Sequence, residues 1–258
     1  MTPIEAFQDT AGRARGFVRL HDGLINTRQR AIRVDWKRSF CRLMHWPQGS
    51  ALSRVDSRDA VIVLRDGASL KPDDFSKDAM EDLLRAAITY GVSALDRYIH
   101  ERVVKGFMTA YRASSLTKQQ KEFQMPVTLA IDIARNVHAA RRENNNHRPA
   151  NEIRKAVQTT LHKRPFQSWR ELEYAFSLIG YKNIARSIRD ACAVDVAATD
   201  AMKEDLTKIV ARRNHIVHEG DLSRHQRGGG ITTQKITRKW VVDSLDFLES
   251  FVANLERT

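Results

Sequence analysis

The feature that most constrains this chain is a helical repeat in "KPDDFSKDAMEDLLRAAITYGVSALDRYIHERVVKGFM", residues 71–108. Leu84, Ala87, Tyr90, Gly91, Ala94, Leu95, Tyr98 and Ile99 recur at three- and four-residue intervals, which forms one continuous apolar stripe on a helix. Acidic residues crowd its start, where the helix dipole favours them. Ile4, Phe7, Ala11, Ala14, Val18 and Ile25 repeat in the same way behind Thr2 and Pro3, an N-cap and an N1 proline. That pattern predicts a first helix from about residue 3 to 30. Further helices are expected over 126–141, from about residue 150, within 165–191 with a stop at Gly180, over 200–218, and over 238–256. "AVIVLRDG", residues 60–67, is the one credible strand or hairpin edge, near residues 56–66. It reads as too short and isolated to define a sheet. "HQRGGGITTQ" (225–234) reads as a loop or turn. The expected fold is an all-α helical bundle. Residues 1–75 would form an N-terminal helix and connecting segment packed on the bundle, and 76–258 the helical domain.

The charge balance narrows the partners. With 43 Lys+Arg against 31 Asp+Glu, the net charge is +12. That favours a polyanion, either nucleic acid or an anionic membrane surface. No apolar run approaches the ~18 residues of a membrane span. "MTPIEAFQDT" lacks the basic and apolar regions of a secretory signal. Cys41 and Cys192 lie far apart without a CxxC, as expected for reduced thiols in a cytoplasmic protein.

Chemistry concentrates in "RRNHIVHEGD", residues 212–221. On an ideal helix Met202, Leu206, Ile209, Val210, Ile216 and Val217 cluster on one side, and Arg213 falls near the middle of that cluster. An arginine there must snorkel, pair with a carboxylate, or face something other than an apolar core. Asn214 and His218 are four apart and share a face. Arg213 and His218 are five apart and point about 140° from one another. Gly220 is a natural helix stop, which puts His218 in the final turn, where the dipole favours a protonated imidazole.

"RNHIVH", Arg213–His218, resembles the R-x4-H signature of the HEPN superfamily in the form with a polar residue directly after the arginine. "AAITYGVSALDRYIHE" (86–101) resembles the long early helix of the bacterial RiboL-PSP-HEPN-like members, and the basic loop and terminal helix fit the same layout. The resemblance implies a HEPN-type helical bundle and a metal-independent endoribonuclease that acts on RNA as a homodimer. Carried onto this chain, Arg213 would bind the scissile phosphate, His218 would act as general acid/base, and Asn214 would orient His218 or a phosphate oxygen. Attack by the RNA 2′-OH needs neither metal nor cofactor. It leaves a 2′,3′-cyclic phosphate and a 5′-hydroxyl. Arg212 would serve if the register were R-x5-H. A toxin or phage-defence effector, with an antitoxin or defence-system partner protein, is the setting such an activity suggests.

Other candidates are weaker. His215, His218 and His225 space as H-x2-H-x6-H, but no cysteine or carboxylate completes a zinc set. His215 reads as a solvent-face or cleft residue, with substrate binding as an option. Arg224, Arg227, Lys235, Arg238 and Lys239 sit in a stretch without acidic residues, as in a phosphate-attracting loop or a plain solvated one. Of these, Arg224, Arg227 and Lys235 are candidate substrate-binding residues. "LHKRPFQSWRE" (161–171) mixes aromatics with cations as single-strand surfaces do, although Phe166 and Trp169 suit a core equally. Gly228–Gly230 lacks the Lys-Ser/Thr of a P-loop, and no Gly-x-Ser-x-Gly occurs. Two alternatives to a nuclease remain: a non-catalytic HEPN-like module that binds RNA or protein, and a basic helical DNA-binding regulator. The second lacks a recognisable helix-turn-helix.

Overall fold

The computed structural model describes residues 2–142, 149–224 and 231–258. The chain opens with helix α1 (Pro3–Leu24), strand β1 (Arg28–Arg30) and helix α2 (Val34–Leu43). Strands β2 (Leu52–Asp56) and β3 (Val61–Arg65) follow, with a 3-10 turn at Pro72–Phe75. The long helix α3 (Lys77–Arg112) leads to α4 (Lys118–Lys121), α5 (Val127–Arg142), α6 (Pro149–Leu161), α7 (Trp169–Ser177) and α8 (Ile184–Cys192). Helix α9 (Val196–Glu219), strands β4 (Leu222–Arg224) and β5 (Ile231–Thr233), and helix α10 (Arg238–Glu256) complete it. The fold is an all-α bundle with a small three-stranded sheet and a two-stranded hairpin among the described residues.

Helix α3 is the axis of the bundle. Of the stripe expected from Leu84 to Ile99 all but Tyr90 is buried, and Ile88, Val92, Val103, Val104, Phe107 and Met108 are buried as well. A helix enclosed on most of its circumference must be wrapped by several others. α1 runs along it, with α10, α9 and α6 on its other sides. Gly91 permits a close approach of α10, since a Cβ there would come within 2.6 Å of Leu245. Tyr90 departs from the expected stripe: it is exposed and leans on Phe17 of α1 at a ring distance of 5.2 Å. Ser76 caps α3 by accepting from Ala79 N–H at 3.3 Å. Thr2 and Glu5 form a reciprocal capping box on α1.

Three expectations need correction. α1 stops at Leu24 rather than near residue 30, because Asn26 turns left-handed (φ +61°) and frees the chain to enter β1. The 56–66 hairpin does not stand alone: β1, β2 and β3 form a three-stranded antiparallel sheet, pairing Arg28 with Asp56 and Leu52 with Arg65. Val55 and Leu64 cover a small second core with Phe75 and Met80. The 225–234 stretch is not all loop or turn. Its end forms β5, antiparallel to β4, with Leu222 opposite Thr233. Residues 225–230, with His225, Arg227 and Gly228–Gly230, lie outside the described residues.

Cys41 is buried, Cys192 half-buried, and both are free thiols. Among the described residues no helix is long and apolar enough to cross a membrane.

Candidate active site at the end of helix α9

Helix α9 begins at Asp195, whose side chain accepts from Ala198 N–H at 2.7 Å, and its middle is fixed in the core by Leu206, Ile209 and Val210. Beyond Val210 the helix leaves the core, and no residue from Ala211 to Gly220 is fully buried. The expected apolar cluster therefore splits. Ile216 packs against the core edge, whereas Val217 is 47% exposed. Gly220 ends the helix with φ +61°, and Asp221 N–H donates back to the His215 carbonyl at 3.0 Å. The next residue is also left-handed, Asp221 at φ +59°. Two such residues in succession turn the chain sharply and swing the Asp221 side chain under the helix.

There it forms a buried ionic knot. Asp221 is fully buried, and its Oδ2 accepts from Arg85 Nε at 2.8 Å and from Arg212 at 2.7 Å. Arg85 also donates to the Gln234 carbonyl at 2.8 Å and to Asp82 at 3.0 Å. Arg212 adds bonds to the Gln234 side chain and to the Gln234 and Lys235 carbonyls, the last two at 3.2 Å. Burial pulls the Arg212 guanidinium below its ordinary value. Asp221 opposes that shift and the neighbouring Arg85 adds to it. Gln234 N–H closes the ring by donating to the Asp221 carbonyl at 2.8 Å. The knot joins α3, the last turns of α9 and the far end of the β4–β5 hairpin.

The outward side differs. Arg213 is half-buried and donates to Asn214 Oδ1 at 3.0 Å, a neutral acceptor. Among the described residues no carboxylate pairs with it, and its Nε is shut from solvent without a hydrogen-bond partner. Asn214 and His218 are exposed, and Asn214 is bonded to Arg213 rather than to His218. His215 Nδ1 lies 3.1 Å from Glu219 Oε2, close enough for a charge contact though misaligned as a hydrogen bond. This face thus offers an unneutralised guanidinium and an open imidazole one and a half turns away.

Residues 62–258 match the model of a known family, described as RiboL-PSP-HEPN. The chain belongs to the RiboL-PSP-HEPN family. HEPN domains are generally nucleases or RNA-binding modules. No curated protein and no solved structure matches the chain. The HEPN match starts within β3, so α1 lies outside it although it packs along α3.

Within this HEPN domain the sequence-predicted residues fall into three groups. Arg213, Asn214, His215 and His218 share the outer surface of the last turns of α9. Arg212 is not with them. Its head group turns inward to Asp221, so the structure uses it as an anchor rather than presenting it to a ligand. Lys235 is exposed at the end of the hairpin, Arg224 belongs to β4, and Arg227 lies outside the described residues. Among the described residues no cluster of three His, Cys, Asp or Glu side chains could hold a metal ion. Sequence reasoning missed Asp221, Arg85 and Gln234. One signal was available: Asp221 is the last carboxylate before the long basic stretch, directly after a helix-ending glycine.

Proposed function

We propose that this HEPN domain is a metal-independent endoribonuclease that works as a homodimer. The observation that carries the reading is Arg213, a guanidinium without a carboxylate partner among the described residues, on the same helix end as the exposed His218. A buried or half-buried arginine normally finds an anion. A forked guanidinium suits a phosphate, and an imidazole suits proton transfer near neutral pH. His218 takes the 2′-OH proton or supplies one to the leaving 5′-oxygen, and Arg213 holds the phosphate. The products are a 2′,3′-cyclic phosphate and a 5′-hydroxyl.

Helix geometry supports the dimer. Arg213 and His218 diverge by about 140° and are on the order of 7.5 Å apart along the axis. A second copy across a two-fold axis supplies the missing group, as isologous interfaces allow. Val217 and Leu222, each nearly half exposed, give that interface an apolar component. Lys235, exposed at the end of the hairpin, extends the phosphate-binding surface, and the sequence adds Arg224 and Arg227 as further candidate phosphate contacts. A toxin or defence effector restrained by a partner protein suits an enzyme that destroys RNA.

The test is incubation of the purified protein with RNA in EDTA, beside His218→Ala and a mixture of Arg213→Ala with His218→Ala chains. Cleavage by the native chain in EDTA, loss in each variant and partial recovery in the mixture are expected. RNA binding without cleavage would overturn the enzymatic reading and leave a non-catalytic RNA-binding module.

A further inference from the structure

A second cleft lies away from α9, between α3 and the end of α6, with a volume of about 490 Å3. At about 1.5 Å per residue, His100 is on the order of 22 Å along α3 from Arg85 and its knot. The cleft is built partly from "LHKRPFQSWRE", and the structure divides that segment. Phe166 is fully buried, Arg164 is paired with Glu171 and lies over the Tyr174 ring at 3.9 Å, and Trp169 donates to Glu173 at 2.9 Å. His162 and Lys163, both exposed, line the cleft, whereas the exposed Arg170 does not.

The wall opposite them is held by ring packing and a hydrogen bond. The His100 ring sits 4.5 Å from the Phe166 ring, and its Nε2 is 3.8 Å from Asp96 Oδ2. Asp96 is itself held by the Phe166 N–H, which donates to Oδ1 at 2.5 Å. Burial lowers the His100 pKa, Asp96 opposes that shift, and the neighbouring His162 adds to it. His162 faces it at a ring distance of 6.2 Å and a tilt of 55°. Buried Val104 adds an apolar surface, while Gln158 and Thr159 add an amide and a hydroxyl. Glu101, also on the rim, lies 3.9 Å from Arg154, which offsets its charge.

We propose that this cleft binds a nucleoside monophosphate unit, its base against the two imidazoles and its phosphate on Lys163. The tilt lets a planar base stack on one ring and meet the edge of the other. Base stacking on aromatic side chains contributes about 1–3 kcal/mol and tolerates any base. Gln158 and Thr159 provide the donors and acceptors that a base edge and ribose hydroxyls need. A purely apolar ligand would leave those groups unpaired, which binding penalises. A cation would meet Lys163 at like charge. The volume falls in the range of small-ligand pockets, about 300–1,000 Å3. The nucleotide is either free or one link of a single-stranded RNA, and the assignment does not depend on cleavage at α9.

The experiment uses the full His218→Ala chain, so that RNA survives. AMP, inorganic phosphate and a 2′-O-methyl oligoadenylate are titrated separately, read by calorimetry and by the imidazole resonances of His100 and His162. Saturable shifts of both histidines with AMP are expected, with at least about tenfold weaker binding in Lys163→Glu and in His162→Ala. Phosphate alone should bind far more weakly. Tighter binding of the oligonucleotide than of AMP assigns the cleft to an RNA strand, and binding of AMP alone assigns it to a free nucleotide; both uphold the site. No shift with either ligand, or unchanged AMP affinity in both variants, overturns it. The native chain's cleavage assay is read independently, so failure of the nuclease reading and failure of this site are separable.

Discussion

The inward and outward sides of the last two turns of α9 carry neighbouring arginines in contrasting states. Arg212 is saturated: a buried carboxylate, an amide and two carbonyls take its guanidinium, and Arg85 shares the same carboxylate. Arg213, one residue and about 100° away, has one neutral partner and a solvent-shielded Nε without any among the described residues. Residue type is the same, so the difference comes from what each side of the helix meets. The inner side meets Asp221, which two consecutive left-handed residues turn beneath the helix. The outer side meets solvent, with His218 on it. Rigidity and reactivity are thus divided between two adjacent side chains, and the anchored one fixes the backbone from which the other projects.

The sharpest way to break that division is at the carboxylate. Asp221→Ala leaves two buried or nearly buried guanidiniums without their shared anion, and should destabilise the fold by about 3–5 kcal/mol. Chemical denaturation measures it. A destabilisation below about 1 kcal/mol would mean the knot is not what holds the end of α9. Next comes the contrast between the arginines themselves. Arg213→Ala should cut RNA cleavage by about 10²–10³-fold with stability changed by less than about 0.5 kcal/mol. Arg212→Ala should instead cost roughly 1.5–3 kcal/mol, visible in thermal melting, with activity falling only as the folded population falls. Equal behaviour of the two variants would erase the distinction.

A smaller effect tests the hairpin, whose end is tied to the knot while Lys235 is exposed. Neutralising Arg224, Arg227 and Lys235 together should lower the salt slope of RNA binding by about 0.7 for each phosphate that is no longer neutralised. An unaltered slope would make the hairpin a solvated connector. The smallest effect compares the buried knot with an exposed clamp. Arg238, at the start of α10, donates to both carboxylate oxygens of Asp22 on α1 at 2.6 and 2.7 Å. Those bonds hold the Asp22 carboxyl below its usual value, with His21 assisting and burial opposing. The carboxylate's stabilising effect is therefore complete above the ordinary carboxylate range and is lost as pH falls through the lowered folded value. Being exposed, the pair contributes less than about 1 kcal/mol. Asp22→Asn should flatten the acid-side decline in melting temperature by that small amount and leave melting near pH 9 differing only by the missing pair.

Most helices of the chain, though not α2 or α4, were legible in the sequence because amphipathic spacing, caps and glycine stops act locally. The α3 stripe, the Thr2 capping box, the Gly180 stop at φ +101° and the boundaries of α10 all follow from residues within a few positions of one another. That Arg213, Asn214 and His218 all stand on the last turns of α9 was legible for the same reason. What the sequence did not reveal depends on groups far apart in the chain. β1 becomes a strand because β2 is beside it, and Tyr90 leaves the stripe because α1 lies against it. Arg85 and Asp221 are 136 positions apart, and only the packing of α9 against α3 brings them within 2.8 Å. Spacing on one helix placed two arginines side by side. Which became an anchor and which stayed open to an anion was decided by the tertiary structure, because only the folded chain puts a buried carboxylate under one of them.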